Sequence, residues 1–281
     1  MKATKTFVTG AGGQLGTELA RALPAEEAVC ASHSQLDVAD PAAVMAAVCA
    51  VRPRVVIHAA AMTGVDLCEA DPDRAHKINT LGAWNVALAC RDAGAAMVYV
   101  STNYVFDGTK PSPYLEYDQP NPLGAYGSSK LGGEIAAAHV LRELYVVRTA
   151  WVYSPWKRNF VSSLLEAARA GKELRYVADQ HASPTAARDL AGAILRLVAT
   201  GAYGVYHLTS SGSTSWHGWA EAVLLAAGLN HAKLSAIPAA EFKRAAAVPA
   251  NGVLANTAGA SLGVALPDWR ESLERYVSSL A

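Results

Sequence analysis

The sequence predicts an α/β fold, a doubly wound parallel sheet with a smaller, discontinuous C-terminal lobe. Three observations predict it. Short apolar or β-branched runs alternate with helical stretches through the first 150 residues, a glycine cluster sits at the first strand–helix junction, and the rhythm breaks after Trp151. Phe7-Val8-Thr9 reads as the first strand, and Gln14 to Leu23 as the helix beyond the glycines. Ala28 to Ala31 is a second short strand. Pro41 opens a helix through Val51, with Asp40 as its N-cap because a short carboxylate can accept from the free N–H groups of the first turn. Val55-Val56-Ile57 is apolar throughout, as a strand buried on both faces should be. Residues 72 to 93 read as mostly helical, Met97 to Val100 as the fourth strand, and Leu144 to Val147 as the fifth after another helix.

Past Trp151, Phe160 to Ala170 and Ala186 to Ala199 read as helices, Gly204 to Leu208 as a strand and Trp216 to Ala227 as a helix. Residues 238 to 267, with Pro238, Pro249 and Pro267, read as extended segments and turns. Trp269 to Leu280 closes the chain as a helix capped by Asp268. The expected division is 1–150 as the first domain, with 174–200 returning to it, and 151–173 plus 201–281 as the lobe.

Composition narrows the partners. The 281 residues are 52% hydrophobic and 17% charged, which excludes wholesale disorder. Lys plus Arg equals Asp plus Glu at 24 each, so no net charge draws the chain to nucleic acid or an anionic membrane. No apolar run approaches the roughly 18 to 20 residues of a membrane span. The basic opening Met1 to Val8 meets Gly10-Ala11-Gly12-Gly13 before a signal-peptide centre can form. Cys30, Cys49, Cys68 and Cys90 have neither close spacing nor a His array, so they read as reduced core thiols of a cytoplasmic protein without a metal.

The glycine cluster spaces Gly10, Gly13 and Gly16 three apart. Gly10 permits the tight turn, Gly12 and Gly13 let the backbone approach a pyrophosphate, and Gly16 lets helix and sheet pack closely. An anion would then sit on the positive end of the helix, which reads either as a Rossmann-like dinucleotide turn or as a glycine-rich turn without a ligand. At the end of the second strand Ser32 and His33 stand where a carboxylate would repel a 2′-phosphate, so NADPH is favoured over NADH, which stays as the alternative. His33 reads equally as a plain surface loop residue. Asp37, with Val38 beside the ring, reads either as an acceptor for the adenine amine or as a turn cap.

Tyr126 and Lys130 lie four apart on one predicted helix face, so phenol and ammonium can enter the same cleft. A neighbouring Lys cation stabilises phenolate and lowers the phenol from its ordinary value near 10. Lys130 can also bond the nicotinamide ribose and relay the proton. Ser101-Thr102-Asn103 directly follows the fourth strand, where ligands of open α/β sheets bind. A hydroxyl there can donate to a carbonyl oxygen as charge develops. Thr102, Tyr126 and Lys130 together form the triad of a carbonyl reductase.

These residues resemble the extended short-chain dehydrogenase/reductases, and more narrowly the dTDP-4-dehydrorhamnose reductase family. The resemblance runs through Gly10–Leu19, Ala59–Asp66 with Glu69, Ser101–Gly108, Tyr126–Glu134, Arg148–Tyr153, Asn159-Phe160, Asp179-Gln180 with Ser183–Thr185, Gly204–Leu208 and Ser215-Trp216. It implies NADPH-dependent reduction of the C4 ketone of a dTDP-linked 4-keto-6-deoxysugar, dTDP-4-dehydro-L-rhamnose. Tyr126 would be the proton donor, Lys130 its partner and Thr102 the donor to the substrate oxygen. Gly13, Gln14 and Leu15 would lie on the cofactor diphosphate, and Ala60, Ala61, Met62 and Thr63 beside the nicotinamide half. Asn103 and Trp151 would meet the deoxysugar, with Asp179-Gln180 and Pro184-Thr185 shaping the lobe. The resemblance also allows a homodimer. A bridging metal of some members is not expected, because Glu18 fits one such position but Arg188 stands near another. Two further departures are Asn103 where the family usually has Asp, and Val248-Pro249-Ala250-Asn251-Gly252 where it often has Arg-Pro and Asn-Ser, leaving Lys243 or Arg244 as the basic contact. A reductase or epimerase of another nucleotide-linked deoxysugar, and a non-catalytic dinucleotide-binding regulatory subunit, stand as alternatives.

Overall fold

The structure, a computed structural model, describes residues 5–280; Met1 to Thr4 of the basic opening lie outside the described residues. The first part of the chain runs β1 (Thr6–Thr9), α1 (Gln14–Ala22), β2 (Ala28–Ala31), α2 (Pro41–Val51), β3 (Val55–His58), α3 (Val65–Ala70), α4 (Pro72–His76), α5 (Gly82–Ala93), β4 (Ala96–Thr102), α6 (Ala125–Val140) and β5 (Leu144–Thr149). It continues with β6 (Val152–Tyr153), α7 (Phe160–Arg169), β7 (Leu174–Val177), β8 (His181–Ala182), β9 (Thr185–Ala186), α8 (Ala187–Thr200), β10 (Gly204–His207), β11 (Thr214–Ser215), α9 (Trp216–Ala226), β12 (Leu234–Ile237), α10 (Thr257–Ser261) and α11 (Trp269–Ser278).

Six parallel strands form the central sheet in the order β10-β5-β4-β3-β1-β2. Side chains alternate across a strand, so one apolar run feeds two cores. Phe7, Val56, Met97 and Val146 pack with Val44 and Val48 of α2 and with Val86 and Cys90 of α5. Val8, Ile57, Val98 and Val147 pack on the other face with Leu15 and Leu19 of α1 and with Leu190 and Ile194 of α8. The helices therefore cover both faces, as the apolar β3 required. Local signals held well: Asp40 accepts from Ala42 N and Ala43 N at 2.9 and 3.1 Å, with Pro41 at the first helical position.

The lobe has its own core, in which Tyr153, Leu164, Trp219, Leu224, Trp269 and Leu273 gather. Its boundaries differ from those expected. β7 lies in 174–200 but pairs with β12 in the lobe, whereas β10, expected in the lobe, adds to the central sheet beside β5. Tyr206 of β10 is buried with Tyr145, and this non-local contact decides its place. Two short helices, α3 and α10, form where turns were expected or nothing was assigned. Cys68 and Cys90 are buried and Cys30 half-buried, but Cys49 is exposed, on the outer side of α2, which corrects the expectation of four core thiols. Among the described residues, no helix is long and apolar enough to cross a membrane.

Candidate active site

The chain leaves β1 toward β2 on one side and returns to β3 on the other, so a crevice opens beyond the carboxyl ends of β1 and β3. The glycine turn forms its floor. Gly10 has φ +71°, and a Cβ there would lie 2.5 Å from Ala60 N, so only glycine lets the turn press on the exit of β3. A Cβ on Gly16 would meet Gly10 O at 2.1 Å; the close packing is thus between helix and turn. Gly12 is open, with only the Ser32 Cβ nearby at 3.5 Å. Gly13 is the N-cap of α1, and no side chain takes the free donors of the first turn. Free N–H groups, a positive helix end and an uncovered glycine face fit a pyrophosphate.

Ser32 flanks this turn, its Oγ bonded to Ser34 and Gln35 at 2.9 and 2.8 Å, and His33 is exposed beyond it. Asp37 accepts from Ala39 N at 3.0 Å, which is the turn cap of its two readings. Val38 is buried in the core and Leu15 likewise, so only their backbone can face a ligand. Gln14 reaches across to the lobe, donating to Val152 O at 3.2 Å and accepting from Ser154 Oγ at 3.4 Å. Glu18 is buried and accepts from the Trp156 indole at 2.8 Å.

Thr102 ends β4, buried, and its Oγ1 accepts from Tyr104 N at 3.2 Å. Tyr126 and Lys130 share a face of α6, as their spacing required. Burial raises the Tyr126 phenol well above its ordinary value, and a side-chain hydrogen bond with Thr102 opposes this. Lys130 is buried with its ammonium 4.1 Å from the centre of the Tyr99 ring. Desolvation pulls it down to about 7, while Glu134 acts upward. This corrects the expectation that the lysine lowers the phenol: in this structure burial governs both groups and drives them apart, the phenol up and the lysine down. His58, at the end of β3, is held neutral by burial and by Lys130, its value lowered to about 3; its Nδ1 lies 2.7 Å from Thr9 Oγ1.

Asn79 is a positioning residue that sequence reasoning missed. It sits fully buried in a π-helical turn, Lys77–Leu81, inside the helical stretch of 72–93. Its Oδ1 accepts from Met62 N at 2.8 Å, and its Nδ2 donates to Met62 O at 3.0 Å and to Ser129 Oγ at 2.9 Å. One amide thus fixes Met62, at the centre of Ala60 to Thr63, against the residue preceding Lys130. The available signal was an Asn amid apolar helical residues. Behind it, Arg148 grips Glu134 through Nη2 at 2.7 Å and Nε at 3.0 Å, and Ser101 Oγ donates to the same carboxylate at 2.5 Å. This pair is almost fully buried.

Asn103 is 2% exposed and donates to Gly252 O at 3.0 Å, tying β4 to the C-terminal loop where an open contact to a sugar was expected. An ionised Asp could not donate this bond, and a Cβ at 252 would lie 2.2 Å from the Asn103 amide nitrogen, so Asn103 and Gly252 fit each other. Trp151 has φ +44°, an uncommon conformation for a bulky residue. It stacks on Trp216 at 3.8 Å between centroids and stays half-buried at the edge of the lobe core. Asp179 accepts from Ala239 N at 2.8 Å and Ser183 donates to Gly212 O at 2.6 Å, holding lobe loops. Arg244 leans on Asp66 at 3.4 Å.

The family model described as the RmlD substrate binding domain matches residues 4–281. A dTDP-4-dehydrorhamnose reductase of Burkholderia thailandensis is 40% identical, over 98% of this chain and 99% of its own. A dTDP-4-dehydrorhamnose reductase of Bacillus anthracis, solved in complex with NADP, has 36% identity and a TM-score of 0.95, covering 99% of this chain and 100% of its own. One from Clostridium acetobutylicum has 37% identity and a TM-score of 0.94, covering 98% and 99%. On these matches the chain belongs to the dTDP-4-dehydrorhamnose reductase family of extended short-chain dehydrogenase/reductases.

Proposed function

We propose that this protein reduces the C4 ketone of dTDP-4-dehydro-L-rhamnose to dTDP-L-rhamnose with NADPH. The observation that carries the reading is the meeting of Thr102, Tyr126 and Lys130 at the carboxyl end of β4, linked by Asn79 to the segment beyond β3. The donor set at the glycine turn suits the cofactor: Gly12 and Gly13 give a diphosphate access to the free N–H groups of α1, with Ser32 beside them. The absence of an acid at Ser32 and His33 suits a 2′-phosphate. NADPH, when bound, supplies the reducing equivalent to C4.

The residues of this chain then have distinct tasks. Thr102 donates to the ketone oxygen and stabilises its developing charge. Tyr126, held protonated by burial, gives that oxygen its proton. Lys130, near 7, is able to return a proton to Tyr126 at neutral pH. Trp151 and Trp216 offer an apolar ring face to the 6-deoxy side of the sugar. The free cysteines suit a reducing compartment, and we place the activity in the cytoplasm.

The test is NADPH oxidation measured with a panel of 4-keto sugar nucleotides. Fast turnover with the dTDP-4-dehydro-L-rhamnose substrate, and slower turnover with other deoxysugars, is expected. Preference for another sugar would move the assignment to that substrate, and no oxidation with any would end it.

A further inference from the structure

The helix that carries Tyr126 begins without a cap of its own. Gly124 stands at the N-cap of α6 and offers no side chain to the first turn. The missing acceptor comes from another element: Glu69 Oε2, on α3, accepts from Ala125 N at 2.9 Å, one residue before Tyr126. The glycine makes room for it, because a Cβ at 124 would lie 2.9 Å from that same carboxylate oxygen. A carboxylate at a helix N-terminus also meets the positive end of the helix dipole.

A second carboxylate lies three residues earlier on α3. Asp66 accepts from Ala246 N at 3.0 Å and pairs with Arg244 at 3.4 Å. Beyond Ala246, Ala247 and Pro249 line the crevice in which Tyr126 and Tyr104 stand. α3 therefore binds both walls of that crevice, the start of the catalytic helix through Glu69 and the C-terminal loop through Asp66.

We propose that Glu69 is a positioning residue for Tyr126: its carboxylate fixes the first turn of α6 so that the phenol meets the ketone oxygen. This rests on the reading of Tyr126 as proton donor. Lys130, one turn further along, has holds of its own, with Thr80 and Tyr99 donating to the Ser129 and Lys130 carbonyls. Loss of Glu69 therefore disturbs proton delivery and spares the cofactor.

The experiment compares Glu69→Ala, Glu69→Gln and Tyr126→Phe by kcat, NADPH affinity from nucleotide fluorescence, and the solvent deuterium isotope effect on kcat. Glu69→Ala is expected to lower kcat about tenfold and raise the isotope effect, with NADPH affinity unchanged within about twofold. Glu69→Gln keeps the acceptor oxygen and recovers most of the rate, and it serves also where the alanine variant does not fold. Wild-type kcat in Glu69→Ala overturns the proposal. So does a fall in kcat with an unchanged isotope effect, or a Gln variant no better than the Ala variant. Wild-type turnover in Tyr126→Phe overturns instead the reading beneath it.

Discussion

The two walls of the cleft are built differently. The sheet side is held by directional hydrogen bonds among buried polar groups: Asn79 to Met62 and Ser129, Glu134 to Arg148 and Ser101, His58 to Thr9. The lobe side is held by aromatic packing, with Trp151 and Phe160 each against both Trp216 and Trp219. A hydrogen bond fixes both distance and angle, whereas stacked rings slide at little cost. The contrast teaches a division of labour. On the proposed function, the groups that would transfer protons are set by bonds that resist displacement, and the surface that would meet the sugar by contacts that adapt.

That comparison is sharpened most by Tyr126→Phe, which removes the proton and keeps the ring. NADPH oxidation with saturating substrate is expected to fall in kcat by roughly 10²- to 10⁴-fold, with cofactor binding retained. Next is Glu134→Ala, which leaves Arg148 charged and unpaired among buried groups. A loss of about 3 to 5 kcal/mol by chemical denaturation is expected, because a stranded buried charge costs far more than an exposed one. On the lobe side, Trp216→Ala removes the stack beneath Trp151. Its expected signature is a severalfold rise in KM for the sugar nucleotide with kcat largely kept, since such stacks contribute roughly 0.5 to 1.5 kcal/mol beyond area. Equal loss of kcat in steady-state assays would break the division of labour.

The smallest effect is in pH. Lys130 is lowered to about 7 from 10.5, so the free enzyme loses this cation as pH rises through about 7. The kcat/KM for NADPH is expected to fall above that point, and Lys130→Met to remove the limb. The folded chain binds fewer protons than the unfolded one between these two values, so this group makes stability rise with pH across that window. Lys130→Met is accordingly expected to raise Tm below about pH 7 and to do so less at higher pH, as read by thermal scans.

What was legible in the sequence follows the same line. Local chemistry could be read directly: Asp40 and Pro41 start a helix, Gly10 and Gly16 allow a turn nothing else fits, and Tyr126 and Lys130 share a face by spacing alone. Groups whose role depends on distant partners were hidden. Asn79 gains its meaning from Met62 and Ser129, 17 and 50 residues away, and Asn103 from Gly252, 149 away. β10 looked like lobe because its place beside β5 depends on the distant strand it pairs with, Tyr145 packing on Tyr206, and not on its own four residues alone. The sign of the Tyr126 shift was missed for the same reason, since spacing reports a neighbour but not the burial around it.

The central claim is that the group of Thr102, Tyr126 and Lys130 serves reduction at C4 of the sugar. It is tested most directly by nuclear magnetic resonance of the product made with NADPH deuterated at the nicotinamide C4. The account predicts deuterium at C4 of a 6-deoxyhexose still attached to its nucleotide. Deuterium at another ring carbon, or a product formed without the label, would contradict it.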